Sequence, residues 1–496
     1  MRHIFVLGDQ LNLARFDGFE PTQTRIIMIE SMARSKAIKC HKQRLLMIYS
    51  AMRHFRVALE SRGYTVAYGQ FPSFEAGLAA YLEQFPKATI EVMQPADYGV
   101  ANSLAAAVSG LGGVLKIVPN ILWLSTRADW DLYAKGKKTY RMEFFYRQLR
   151  RQTNWLMDGT EPLGGQWNFD TDNRQVPPKN HVFPKKLEFV PDAITLEAKT
   201  FIEEEFPDHF GSLEHFNWAV TREQALVAFQ HFLEFRLHDF GAYEDAMVNN
   251  ETQLYHSLLS PAINIGLISA KEVCEAALLY LGKVPLSSLE GFIRQILGWR
   301  EFMHHVYNAL MPDLHQANRY GLTRALPSFY WTADTKMRCV QKAVQQVWDT
   351  GHAHHIQRLM VLGNFALLAG VQPQAVNNWF LEGFVDAFDW VVTPNVIGMS
   401  QYADAGSFTS KPYISGAGYI NRMSNHCQHC AYKPKETLGT QACPFNSLYW
   451  NFIDQHLSSL ATNPRMSIIV ANWKKRSQAD QEAILGQAAL VLANFT

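Results

Sequence analysis

His3-Ile4-Phe5-Val6-Leu7-Gly8-Asp9-Gln10-Leu11 opens the chain with an apolar run that stops at a glycine and a carboxylate. A short apolar run closed by a turn signal is the pattern of a buried strand, and it recurs at 25–30, 65–70, 89–93 and 115–118. Amphipathic helical patterns fill the gaps. In 41–62, Leu45, Ile48, Tyr49, Met52 and Phe55 return at helical spacing. This alternation predicts a Rossmann-like α/β unit, a parallel sheet covered by helices on both faces. Gly8-Asp9-Gln10 then lies at the carboxyl end of the first strand, where open sheets bind ligands. No G-x-G-x-x-G follows that strand, and Ser109-Gly110-Leu111-Gly112-Gly113 reads as a loop, which argues against NAD.

Further along, the pattern changes. Residues 130–215 are loop-rich, with a basic helix-like stretch at 135–151 followed by Gly164-Gly165 and Pro177-Pro178. From about 217 onward helical periodicity takes over, at 222–237, 270–281, 289–310, 335–349, 352–369, 373–384 and 446–460. We therefore expect an α/β domain over 1–130, an inter-domain connector over 131–216 and an all-α domain over 217–496. A length of 496 residues suits that division.

Composition narrows the function classes. With 48% hydrophobic and 18% charged residues the chain is no disordered polyelectrolyte. A net charge of +1 means that any nucleic-acid surface must be a local patch. Aromatic residues at 12% suit a protein that handles flat ligands. Residues 1–8 are too short for a signal-peptide core, and no apolar stretch of about 20 residues predicts a membrane span. The apolar end, 483–495, reads as a packing helix. Six cysteines in so long a chain do not make a disulfide scaffold, so a cytoplasmic monomer is expected.

Cys427-Gln428-His429-Cys430 is a C-x-x-C pair, followed by Cys443-Pro444, while Cys339 stands on a helical pattern far upstream. Four thiolates are what a [4Fe–4S] cube needs, and proline after a ligand recurs in ferredoxin-type sites. Three cysteines with His426 or His429 would equally satisfy tetrahedral zinc. Both readings stand on spacing alone.

Four further blocks decide between them. They are His256-Ser257-Leu258-Leu259-Ser260-Pro261, Arg294-Gln295-Ile296-Leu297-Gly298-Trp299-Arg300-Glu301, Gly351-His352-Ala353-His354-His355-Ile356-Gln357-Arg358, and Asp386-Ala387-Phe388-Asp389-Trp390 ahead of Pro394-Asn395. Together they resemble the FAD domain of the photolyase/cryptochrome family. With the cysteines, the whole chain resembles that family's bacterial iron–sulfur branch of (6-4) photolyases and related cryptochromes. The resemblance implies FAD, a [4Fe–4S] cluster on Cys339, Cys427, Cys430 and Cys443, and a 6,7-dimethyl-8-ribityllumazine antenna.

It also implies roles residue by residue. Ser257, Leu258, Leu259 and Ser260 match the flavin-phosphate segment. Gln295 and Arg300 match the next helix, with Gly298 standing as an inserted residue. Arg358 and Asp389 match the Arg/Asp pair beside the isoalloxazine, and Asn395 matches the residue facing flavin N5. His355 matches the histidine that protonates the lesion. Animal relatives carry a second histidine where this chain has Leu359, so His354 is the substitute. Tyr413 and Tyr419 match aromatic walls around a flipped base, and Trp379 and Trp331 are electron stepping stones. Phe380, beside Trp379, cannot be oxidised as tyrosine could. Asp9, Gln10 and Glu30 resemble antenna-site residues, with Asp9 and Glu30 expected to aim both carboxylates into the crevice. The implied activity is light-driven repair of (6-4) pyrimidine–pyrimidone photoproducts in UV-damaged DNA, by electron transfer from excited reduced FAD and proton transfer from histidine. The alternative is a cryptochrome-type photoreceptor without repair.

Overall fold

In the computed structural model of the chain, which describes residues 1–494, five strands form one parallel sheet. They are β1 (Arg2–Phe5), β2 (Thr24–Ser31), β3 (Thr65–Phe71), β4 (Thr89–Met93) and β5 (Val114–Val118), ordered β3-β2-β1-β4-β5. In register, Ile4 lies between Ile26 and Glu91, and Phe5 between Ile27 and Val92. The middle strands are buried on both faces, which is why they read as unbroken apolar runs, while edge strands β3 and β5 alternate between partly and fully exposed positions. Strand order reverses on the two sides of β1, so a crevice opens beyond the carboxyl ends of β1 and β4. Asp9 and Gln10 lie there.

The helix Lys42–Ser61 covers the sheet with buried Met47, Ala51, Met52, Phe55 and Leu59. It starts where His41 Nδ1 accepts the amide of Gln43 at 3.0 Å. The connector is less loop-like than its composition suggests. It holds the helices Met142–Thr153 and Ala193–Glu205, and a short hairpin of Met157–Asp158 with Glu161–Pro162. Ala198 and Ile202 of the second helix bury against Leu45, Leu46 and Tyr49, so tertiary packing fixes a helix that local pattern left unannounced. Residues 166–192 have no regular structure.

The remainder is helical. The expected packing helix is the end of Gln478–Ala493, which buries Ile484, Ala488 and Val491; Phe495 lies outside the described residues. Among the described residues no helix is long and apolar enough to cross a membrane.

Three helices widen into π turns, at Arg294–Arg300, Gln357–Gly363 and Pro394–Ser400. A π turn absorbs one extra residue in a helix and is frequent at functional sites. Gly298, the inserted residue, lies in the first, and a Cβ there would press on Met142 Sδ at 3.0 Å. The other two π turns touch at Gly363, where a Cβ would overlap the Ser400 hydroxyl and come within 3.0 Å of the Arg358 carbonyl. Gly363→Ala should therefore separate them and cost about 1–3 kcal/mol as overpacking does. A lowered midpoint in chemical unfolding, with the slope unchanged, is the expected reading.

Candidate functional site

The helical half is organised around one ion pair. Arg358 Nη2 donates to both oxygens of Asp386, at 3.0 and 3.1 Å, and its Nε donates to the Ala353 carbonyl at 2.6 Å. Its guanidinium lies 4.0 Å over the Phe384 ring. Asp386 also accepts from Ser260 Oγ at 2.7 Å, and its carbonyl accepts from Asn264 Nδ2 at 3.1 Å. The arginine's carboxylate is thus Asp386, which corrects the assignment to Asp389. Asp389 opens the helix Asp389–Thr393 and turns the other way, accepting from Tyr307 Oη (2.6 Å), Thr393 Oγ1 (2.5 Å) and His315 Nε2 (3.0 Å). Burial works against a charged Asp386, but Arg358, His352 and the Ser260 hydroxyl outweigh it and hold the carboxyl below its ordinary range.

Four histidines surround this pair. His256 and His354 stack with centroids 4.7 Å apart, and both ring nitrogens of His354 and Nε2 of His256 are buried without a protein partner. His355 is different. Its surface is exposed, yet protein surrounds it closely enough that burial, then Arg358, pushes it down to about 4. It therefore lines a recess. His256 and His352 are likewise pushed to about 4 and about 3, burial being the main cause. His256 belongs to the site although its motif announced only the residues after it.

Ser257, Leu258, Ser260, Gln295 and Asn395 are partly exposed while their neighbours Leu259, Ile296 and Val396 are buried. Leu258 takes a left-handed φ of 56°, which turns the chain into the short helix Ser260–Asn264. Asn395 Nδ2 donates to the Val391 carbonyl at 2.7 Å. Arg300 is engaged elsewhere, at the seam with the sheet side. It donates to Glu301 (2.8 Å) and to the Leu122 carbonyl (3.3 Å) and stacks 4.0 Å from Trp123.

Tyr413 lines an open cavity with Trp299, Trp167, Arg141, Arg147 and Arg294. Tyr419 Oη donates to Asp245 at 3.4 Å. Trp379 is fully buried, donates to the Tyr330 carbonyl at 2.9 Å, and stands edge-on to Phe384 at 5.7 Å, so the Arg358 stack continues into it. Trp331 is a surface residue beside Tyr330, whose ring meets Trp379 at 5.1 Å. Trp348 is a second surface indole, and both it and Trp331 pack on Phe210.

At the sheet crevice, Glu30 does not offer a free carboxylate. Arg53 (2.9 and 3.2 Å), Gln70 (2.8 Å) and the Tyr68 hydroxyl take both its oxygens. A buried carboxylate without such partners would be too costly to keep charged. Asp9 remains available. Burial and then nearby Asp97 push it up to about 6. Gln10 Nε2 donates to the Met93 carbonyl at 2.9 Å, and its buried Oε1 has no partner.

Cys339, Cys427, Cys430 and Cys443, all free thiols, line one cavity with Met337, Ala417, Ile420 and Phe445. His426 reaches the same cavity, but its Nδ1 faces Asn249 Oδ1 at 2.8 Å, and His429 is exposed. Among the described residues no three His, Cys, Asp or Glu side chains gather as ligands of a single ion.

Known proteins share this sequence and fold. Residues 4–218 match the family described as deoxyribodipyrimidine photo-lyase-related protein. The chain is 42% identical over 499 residues to the (6-4) photolyase of Agrobacterium fabrum, covering 99% of this chain and 98% of that one. It belongs to the photolyase family. Two solved structures share its fold. A bacterial class III photolyase from Agrobacterium tumefaciens superposes with a TM-score of 0.58 at 17% identity, over 83% of this chain and 81% of its own. The cryptochrome of Synechocystis sp. PCC6803 gives 0.60 at 15% identity, over 100% and 99%. Membership in the photolyase family implies FAD. Ser260 and Arg358, both partly exposed and joined through Asp386, with unpartnered nitrogens on the stacked His256 and His354, fit a large polar aromatic ligand.

Asp386→Asn should leave the partly buried Arg358 without its counter-charge and cost about 1–3 kcal/mol, read as lower stability and weaker flavin retention on a desalting column. The depressed histidines set a pH dependence. The folded forms of His256, His352 and His355 stay neutral down to about 4, while unfolded histidines take a proton below about 6.5. The unfolded state then binds more protons, so these groups cause stability to be lost as pH falls from about 6.5 toward about 4. His256→Asn should make that loss shallower when unfolding free energies at about pH 7 and about pH 5 are compared.

Proposed function

We propose that this photolyase repairs (6-4) pyrimidine–pyrimidone photoproducts in UV-damaged DNA under light. The observation that carries the reading is His355, an accessible imidazole closely surrounded by protein, one helical turn from Arg358 of the Arg358–Asp386 pair. The 42% identity to a protein named as a (6-4) photolyase supports it along the whole chain.

When bound and reduced, FAD supplies a photoexcited electron. The chain's own residues do the rest. Ser257, Ser260, Gln295 and Asn395 offer hydrogen bonds to hold the cofactor, and Arg358 sets a fixed positive charge beside it, locked by Asp386. Leu258 and Leu259 shape the turn behind the flavin phosphates. Tyr413 and Tyr419 wall the entrance, so that a base flipped from the duplex keeps an aromatic face to rest on. Flipping costs least at damaged, unstacked sites, which favours the lesion. His355 holds the proton delivered to the lesion and takes it back when the bonds have rearranged. A neutral imidazole still carries one N–H, and phosphates entering the recess raise its proton affinity. His354 and His256, stacked behind it, keep the ring side of the recess polar. Trp379, with Tyr330 and Trp331, forms the route by which electrons from the surface reach the flavin. Phe380 beside Trp379 cannot be oxidised and stands outside that route.

Two further groups belong to this reading. Cys339, Cys427, Cys430 and Cys443 hold a [4Fe–4S] cluster, supported by four thiols around one cavity. The cluster clamps the helix Arg338–Thr350 to the segment 427–443. Asp9 and Gln10, with free acceptors at the sheet crevice, hold a 6,7-dimethyl-8-ribityllumazine antenna, and Glu30 acts indirectly, by fixing Arg53 and Tyr68.

Illumination of the flavin-loaded protein with a (6-4)-containing oligonucleotide should restore thymines. His355→Ala should slow this by about 10²-fold or more while keeping the flavin spectrum. Wild-type protein that photoreduces without restoring thymines would make it a photoreceptor instead. Protein purified without air should carry about four irons per chain, and Cys430→Ser should carry almost none.

A further inference from the structure

The stretch 135–151 holds seven basic residues and one acidic, in a chain whose totals are 46 and 45. The structure folds part of it into Met142–Thr153 and sets three guanidiniums around one indole. Arg147, Arg150 and Arg151 lie 5.3, 5.2 and 4.9 Å from the centroid of Trp167. Arg150 is buried and structural. It donates to the carbonyls of Trp167 (3.3 Å), Trp155 and Leu156, and so pins the loop that carries the indole. Arg147 and Arg151 make no ion pair among the described residues, and Arg147 Nε is buried without a partner. Two carboxylates share the neighbourhood: Asp170 is taken by Arg294 at 2.6 Å, and Glu143 lies exposed at the rim.

Like charges gathered on one ring repel, and a cation–π contact at a half-exposed site returns only about 0.5–1 kcal/mol. An arrangement of this kind is relieved by an anion. Trp167 and Arg147 share one cavity with Tyr413, the wall assigned above to the lesion pocket. Indole face and guanidinium side by side match a nucleotide, whose base stacks and whose phosphate takes the charge.

We propose that Trp167, Arg147 and Arg151 form a second nucleotide subsite next to the lesion pocket. It takes an unstacked base, and the phosphate attached to it, from DNA beside the damage. The placement of this subsite rests on the repair reading, because Tyr413 locates the lesion.

The test is dark binding of the flavin-loaded protein to a (6-4)-containing duplex, measured at several salt concentrations, alongside light-driven repair by the parent protein. Trp167→Ala should weaken binding about tenfold, as loss of one stacked base does, and Trp167→Phe should recover most of it. Arg147→Gln with Arg151→Gln should lower the slope of log affinity against log salt by about one to two. Lys116→Gln, on the far edge of the sheet, should change neither. Trp167→Ala that binds within twofold of the parent, or an unchanged salt slope in the arginine variant, overturns the subsite. If Trp167→Ala fails to fold, the arginine pair decides on slope alone. Failure of the repair reading looks different: the parent binds the duplex but restores no thymine.

Discussion

The bidentate contact between Arg358 and Asp386 is the constraint on which the helical half depends. It joins the histidine-bearing turn at 352–358, the turn before the helix Asp389–Thr393, and, through Ser260 and Asn264, the segment that follows His256. A buried pair of this kind contributes little net stability, because desolvation offsets the Coulomb gain. Its effect is positional. With both groups largely withdrawn from water, neither partner can move without leaving the other unpaired, so three separate segments are held in one geometry. The contact of the π turns at Gly363 and Ser400 does the same by shape.

The second seam joins sheet to helices, and it too is built on buried charge. Glu301 accepts from the amides of Leu124 and Ser125 at 3.0 and 2.8 Å, from Ser125 Oγ at 2.7 Å and from Arg300 at 2.8 Å. Tyr307 donates to Asp389 while accepting from the Tyr98 amide at 2.9 Å, and Asp97 accepts the Trp390 amide at 3.2 Å. Leu11 and Asn12, just after β1, bond to Ile265 and Gly266. The crevice end of the sheet is therefore fastened to the helices that follow both the Ser257 and the Asp386 segments. This explains why Arg300 and Asp389, though adjacent in sequence to flavin-site motifs, are spent on the seam.

What the sequence could disclose follows the range of the forces involved. The five strands were legible to within a residue or two, because buried parallel strands are continuous apolar runs and their ends carry turn residues. Most of the longer helices from 222 onward were legible from periodicity, whereas Ala417–Met423 and Ser467–Lys474 were not among those expected. Asp386 and Asp389 could not be told apart, since only two residues of non-helical chain separate them and only tertiary contacts choose which faces Arg358. Glu30 had the right strand end, yet its fate depends on Arg53, brought from another helix. The helix Ala193–Glu205 hid between proline-rich and acidic flanks, and its burying face exists only against Lys42–Ser61. His256 left no signal except its place before the serine motif, for stacking on His354 is a long-range event.

The pocket's histidines also restrict how the site can be charged. Burial keeps His256, His352 and His355 neutral near pH 7, so Arg358 is the fixed cation facing the recess, and Asp386 already balances it. An empty recess is thus close to electroneutral, which is what allows so many polar groups to be buried together. A phosphate-bearing ligand arriving there finds N–H donors and protonatable rings rather than a counter-ion already spent. The negative charge it brings favours the protonated form of the nearest imidazole, and the accessible one is His355. On the repair reading proposed above, proton supply at this site is then a consequence of substrate binding, set by the same burial that silences the ring beforehand.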